Sequence, residues 1–321
     1  MGPAGQRFSG ARLACGVAAL WTGMAIAQSP ALDRVAEALH DRALERDTAD
    51  AHYVRGLQAT MDPAARIGAY ARAWELDSSR LLFLSALAQS CMARGAAPLA
   101  SCASADPVSR WAARDADNAA PWVLLAHRAR ERGDLPAMRA NLVHAAERPR
   151  FDGYRARGAD VVAQLIASSS DLARRPESPY AAASLSASAT DAALTEVSAL
   201  CRRDAPGVLP DAGVACTRLA RTMAERADTY AGRQAGLAIE GSWAASDPDR
   251  SRVAAARERL SASALACHAA RGSLVARLEG SASERERSRE IGAAAVADAS
   301  TMDEVAVCER LVSRAKAANL L

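Results

Sequence analysis

Bulky side chains are scarce in this chain. Of its 321 residues, aromatics make up 4%, although half of all residues are hydrophobic. Alanine supplies much of that half, so a core has to come from Leu, Val and helices whose Ala faces approach closely. Lysine is rarer still, with Lys316 alone against arginine for all the remaining side-chain cations. That bias, beside so much alanine, points to a GC-rich bacterial coding sequence. There are five histidines, His40, His52, His127, His144 and His268, and none falls in H-E-x-x-H. No G-x-S-x-G and no glycine-rich phosphate loop is present either, so no motif supports a catalytic residue. No C-x-x-C or close Cys/His spacing suggests a metal site, and no cofactor is expected. Nor does any segment alternate at period two for long enough to be a strand. The fold class expected is all-α.

What is present begins with an export signal. Arg7 and Arg12 precede a short, mostly apolar run from Leu13 to Ala25, and Ala25-Ile26-Ala27 is an A-x-A cleavage site. Residues 1–27 are therefore expected to be a signal peptide cleaved after Ala27, leaving a periplasmic chain that starts at Gln28. Leu13-Ala14-Cys15-Gly16 has the outline of a lipoprotein site, but Arg12 sits where an apolar residue is wanted. No later stretch approaches the ~20 apolar residues of a transmembrane helix. Removing Arg7 and Arg12 takes the formal charge from +3 to about +1, which offers no field for nucleic acid. Six cysteines remain after the signal: Cys91, Cys102, Cys201, Cys216, Cys267 and Cys308. An even count in an exported chain argues for disulfides, and although roughly fifteen pairings exist in principle, proximity favours Cys91–Cys102, Cys201–Cys216 and Cys267–Cys308.

Residues 118–148 carry the one spacing that points to a class of function. Trp122, Leu125, Ala126 and Ala129 share a helical face, Gly133-Asp134 breaks it, and Met138, Leu142 and Ala145 line a second helix. This pattern resembles the tetratricopeptide repeat in Trp122, Leu125, Ala126, Gly133-Asp134 and Ala145. It departs at Ala129, where that family prefers a large aromatic, and at Met138, where it prefers a small residue. Upstream, Leu84, Leu87, Ala88 and Gly95 repeat the pattern, and a weaker unit starts at Tyr53. Tyr53 to Leu84 is 31 residues and Leu84 to Trp122 is 38, straddling the usual ~34. The resemblance covers about a third of the chain. It implies an α-solenoid whose first helices line an inner groove. Val123, His127, Arg130 and Glu131 would face that groove on this hairpin, and Ser85, Gln89 and Met92 on the preceding one.

Asp62-Pro63, Asp106-Pro107 and Asp247-Pro248 read as helix starts, because Asp suits the N-cap and Pro the first turn. A helix is expected through Val161–Ile166, then a polar loop over 168–179, then helices over 181–201, 212–240, 250–278 and 302–318. The domain reading is tetratricopeptide-like repeats over 28–150, a helix and linker over 151–182, and a disulfide-stapled helical region over 183–321. The leading functional expectation is a non-catalytic exported protein that binds another protein or peptide. The alternative is an envelope enzyme with a site assembled in the C-terminal half. A deep cavity with convergent Asp, Glu and His would mark the enzyme, and an open groove would mark the binder.

The signal has a direct check. Intact mass spectrometry of the exported protein should show Gln28, or its cyclised form, as the first residue; a lipid-modified Cys15 at the start would overturn the assignment.

Overall fold

The computed structural model describes residues 30–59, 62–92, 100–187, 189, 191–203 and 212–321, and among these every regular element is a helix. The expected signal peptide, with Cys15, and the turn at Gly95 lie outside the described residues. The first described stretch builds α1 (Pro30–Leu44), α2 (Ala49–Gln58), α3 (Pro63–Leu76), α4 (Leu81–Ser90), a short α5 (Ala100–Ala103), α6 (Pro107–Arg114), α7 (Ala119–Glu131) and α8 (Leu135–Ala146). Asp62 caps α3 as its sequence promised, its carboxylate accepting from the Ala64 and Ala65 N–H groups. Asp106 stands at the N-cap position of α6 with Pro107 in its first turn, as expected, but it takes a left-handed φ of 36° and its carboxylate pairs with Arg128 at 2.6 Å. The Gly133-Asp134 break is a helix-terminating turn. Gly133 adopts φ 73°, and the Gly133 and Asp134 N–H groups donate to the Arg130 and Ala129 carbonyls, both at 2.9 Å.

The second stretch comprises α9 (Gly158–Ala167), α10 (Ser170–Arg174), α11 (Ser178–Ala187), α12 (Ala192–Cys201), α13 (Ala212–Arg226), α14 (Tyr230–Trp243), α15 (Asp247–Ala276), α16 (Ala282–Ala299) and α17 (Glu304–Ala317). Three boundaries differ from expectation, each for a local reason. The polar stretch 168–179 contains α10, because Leu172 is buried and Ser178 Oγ donates to its carbonyl at 2.6 Å. The helix expected over 181–201 divides at Asp191, which caps α12 through the Leu194 N–H. The helix expected over 212–240 folds back as α13 and α14. Thr229 caps α14 through the Gly232 N–H, and Gly236 sits where any side chain would strike the α13 backbone at Ala220 and Ala224. That absence of a Cβ is what lets the two axes close in. At the third Asp-Pro pair the cap is Ser246, one residue earlier than Asp247.

Packing follows chain order at first. Helices α2 and α3 pair, α4 packs on α6, α7 pairs with α8, and α13, paired with α14, packs on α8. The intervening residues 158–201 do not extend this stack. Helix α9 lies against α2, and α12 lies against α4, α7 and α14. Helix α16 then returns to α9 and α11, so one contiguous apolar core runs from Leu32 to Leu320. The scarce aromatics are concentrated in it: Tyr53, Phe83, Trp111 and Phe151 are among the largest fully buried side chains. Alanine fills the rest, as composition required.

All three proximate cysteine pairs are disulfides, with Cα–Cα separations of 5.5, 5.4 and 5.3 Å in chain order. Together with the absence, among the described residues, of any helix long and apolar enough to cross a membrane, they fit an exported protein. Cys267–Cys308 ties α15 to α17 across the longest loop, a sequence separation of 41. Replacing both of its cysteines by serine should lower stability in urea unfolding by about 3–4 kcal/mol, more than the same change at Cys91–Cys102. A reversed order would show that loop entropy is not what these bridges contribute.

Candidate functional site

The residues expected along an inner groove share a side, but that side is covered by the chain's own second half. Val123 and Ser85 are fully buried, and Ser85 Oγ donates to the Leu82 carbonyl at 2.8 Å. Gln89 reaches the Gly153 carbonyl at 3.4 Å, while its Oε1 is buried without a partner. Met92 is half-buried against the core. His127 is held between two carboxylates, its Nδ1 2.5 Å from Glu196 of α12 and its Nε2 3.3 Å from Glu131. Arg130 donates to the Ala199 carbonyl at 3.3 Å and stands 3.7 Å from the same Glu196. Of the seven, Glu131 is the most open, with 64% of its side chain exposed. Helix α12 thus occupies the place a partner helix would take, and the acid it brings, Glu196, answers the His127/Arg130 pair.

Covering one side of α7 leaves the other side of its hairpin available. Trp122 is half-buried and packs against the core, its indole Nε1 buried without a partner. Its ring stacks on His144 of α8 at 4.8 Å between centroids, and the Arg148 guanidinium lies over it at 5.5 Å. On the outward face of α8, one turn apart on each side of Arg139, Leu135 is 38% exposed and Val143 47%. Met138, Leu142 and Ala145 are buried, as their spacing indicated.

Sequence reasoning missed the polar hub at the centre. Residues 150–154 run as an extended strap between the α6–α7 and α13–α14 junctions. The strap is bridged to Asn118 on one side and Ala227 on the other. Asn118, fully buried, accepts from the Asp152 N–H at 3.0 Å and donates to the Asp152 carbonyl at 2.7 Å. Asp115 receives hydrogen bonds from Trp111 Nε1, Asn118 Nδ2 and the Tyr154 hydroxyl, and pairs with Arg150. The available signal was two polar clusters, 115–118 (DADN) and 151–154 (FDGY), flanking the best hairpin. Behind them Asp152, Asp191 and Asp228 converge. Burial and the neighbouring Asp152 and Asp191 carboxylates push Asp228 well above the ordinary carboxylate range. Burial also raises Asp191, against the opposing pull of the Leu194 N–H and Arg155. Arg150 and Arg157 reach Asp152 at 3.1 and 3.4 Å. The three acids are thus committed to a proton, to arginines and to backbone N–H groups. Among the described residues no group of His, Cys, Asp or Glu is arranged to hold a metal ion.

Comparison with protein-family models, with characterised proteins and with solved structures yields no match, so functional inference rests on this chain's own geometry.

The raised Asp228 carboxyl gives the hub a pH signature. A carboxyl whose folded pKa lies above its unfolded value stabilises the fold fully below the unfolded pKa, and that contribution is lost as pH rises through the folded one. Asp228→Asn keeps a neutral hydrogen-bonding group. Its stability relative to the native protein should therefore rise between about pH 5 and about pH 8, by about 1 kcal/mol or more. Urea unfolding at both values checks this; a constant difference would mean Asp228 is not held protonated.

Proposed function

We propose that this chain is a periplasmic binding protein, built on hairpins of the tetratricopeptide type, that holds another protein or peptide and does no chemistry of its own. The succession of helix pairs α2/α3, α4/α6 and α7/α8 supports the repeat reading, since their starts keep the spacing of the units beginning near Tyr53, Leu84 and Trp122. Three disulfides support the oxidising compartment. The observation that carries the binding reading is the outward face of α7 and α8. Trp122 there lies between His144 and Arg148, and Leu135 and Val143 are exposed along the same α8. Trp and Arg anchors within a small apolar patch are the composition of interaction hot spots. Because α12 fills the inner side, partner contact moves to this outer one, with Glu131 at the hairpin tip as the reachable member of the expected groove set.

Leu135→Glu with Val143→Glu tests it. Both side chains are exposed, so thermal stability should change by no more than about half a kcal/mol per site. Capture of the periplasmic partner by the immobilised mature protein should be lost. Arg130→Ala, on the covered side, should leave capture intact and lower stability by about 1 kcal/mol, through its bonds to α12. Undiminished capture by the double variant would overturn the assignment of the face.

A further inference from the structure

Away from that face, a cavity of about 420 Å³ opens between α1, α9, α11, α15, α16 and α17. Small residues make the space: Ala183 on α11 and Ala295 on α16 line it, while Gly292 lets the Tyr180 ring pack directly against α16. Val275, Val296 and the ring of Tyr180 complete an apolar wall, the Tyr180 hydroxyl being bonded to the Ser288 carbonyl at 2.6 Å.

Charge enters around the segment 228–231. The backbone N–H of Arg155 donates to Asp228 Oδ2 at 3.2 Å, and Glu304 accepts from the Tyr230 N–H at 3.1 Å. Arg271 and Glu304 both lie near enough to the Tyr230 phenol to act on its ionisation. All three charged side chains line the cavity. The Arg155 guanidinium donates to the Ala187 carbonyl, and that of Arg271 faces Cys308 Sγ at 3.5 Å, a weak acceptor. Among the described residues neither guanidinium makes an ion pair with a carboxylate. Glu304 spends one oxygen on a backbone N–H, so among the residues that line the cavity two cations stand against one carboxylate; Asp191, on which Arg155 also acts, and Glu309, near Tyr230, lie outside that lining.

The walls also discriminate between classes of ligand. They are mostly helical, so most of their backbone groups are bonded within the helices; Arg155, Ala156 and Thr229 lie outside them. Two lining hydroxyls are engaged as well: Ser186 Oγ donates to Ala183 O at 2.9 Å, and Thr229 Oγ1 accepts the Gly232 N–H at 3.0 Å. An extended peptide would bury amides here without partners, which is costly, whereas an alkyl chain needs none. The volume lies within the range of small-ligand sites.

We infer that this cavity binds a monoanionic single-chain amphiphile, an alkyl carboxylate, with its tail between α11 and α16 and its carboxylate at Arg155 and Arg271. The site is separate from the protein-binding face proposed above and stands or falls without it. Dodecanoate, titrated calorimetrically below its micellar range into the full mature protein, should occupy one saturable site. Dodecanol, with the same tail and no charge, should bind the unaltered protein about tenfold or more weakly. Arg155→Gln with Arg271→Gln should weaken dodecanoate to the level of dodecanol, and Ala295→Phe, which fills the cavity, should remove binding of both. Circular dichroism of each variant confirms its fold. Equal binding of dodecanoate and dodecanol by the unaltered protein would overturn the proposal without recourse to any variant. So would the absence of a saturable site, undiminished binding by folded Ala295→Phe, or tighter binding at this cavity of a short apolar peptide with a free carboxyl terminus.

Discussion

The reciprocal clasp between Asn118 and the backbone of Asp152 is the contact on which the rest of the arrangement depends. It is buried, it uses both faces of one amide, and it fixes the strap 150–154 beside the start of α7. On the opposite edge the Asp228 N–H donates to the Phe151 carbonyl, and the Asp228 carbonyl accepts from the Glu304 N–H at 2.7 Å. The ends of α6, α13 and α16, and the starts of α7, α14 and α17, are thereby referred to five residues of extended chain. In low-dielectric surroundings such a network holds one geometry firmly when complete, and each orphaned group is costly when it is not. Asp115 shows the same economy of partners, gathering an indole, an amide, a phenol and a guanidinium.

From that strap the chain turns back over its own first half. Helices α9 and α12 cover α2, α4 and α7, and with them the side on which a repeat protein would offer a groove. An unfilled concave face of Ser85, Gln89, Val123 and His127 would leave apolar surface and polar groups to solvent or to a partner. Here Glu196 and the Ala199 carbonyl satisfy His127 and Arg130 from within. The chain has in effect covered that side with its own segment, and the proposed partner and ligand sites are placed elsewhere, on the outer surface of α7–α8 and in the hollow where α16 and α17 close on α9 and α11.

Much of the helical detail was legible from residues alone. The cap at Asp62, the break at Gly133-Asp134, and the buried Met138, Leu142 and Ala145 follow from side-chain chemistry and a 3.6-residue period. So did the three disulfides, because each joins helices close in the chain. Trp122 packs against the core yet stays half-buried, because periodicity defines a stripe but not which neighbour covers it. The fold-back at Ala227–Thr229 was missed because a capping Thr inside an alanine-rich run resembles any other mid-helix Thr.

Composition and local pattern by themselves determined that this chain is all-helical, that its core is built of Ala and Leu with a few aromatics, and where its sulfurs pair. Apart from the Cys267–Cys308 bridge, which spans 41 residues, these properties depend on neighbours close in the chain, which sequence order supplies. The tertiary structure alone decided that α12 would fill the inner face, that Asp152, Asp191 and Asp228 would share one pocket of low dielectric, and that Arg155 and Arg271 would meet at one cavity. Each of those outcomes joins residues tens to more than a hundred positions apart. The single-residue register of the strap at Asn118 and Phe151 sets them, and no local periodicity encodes it.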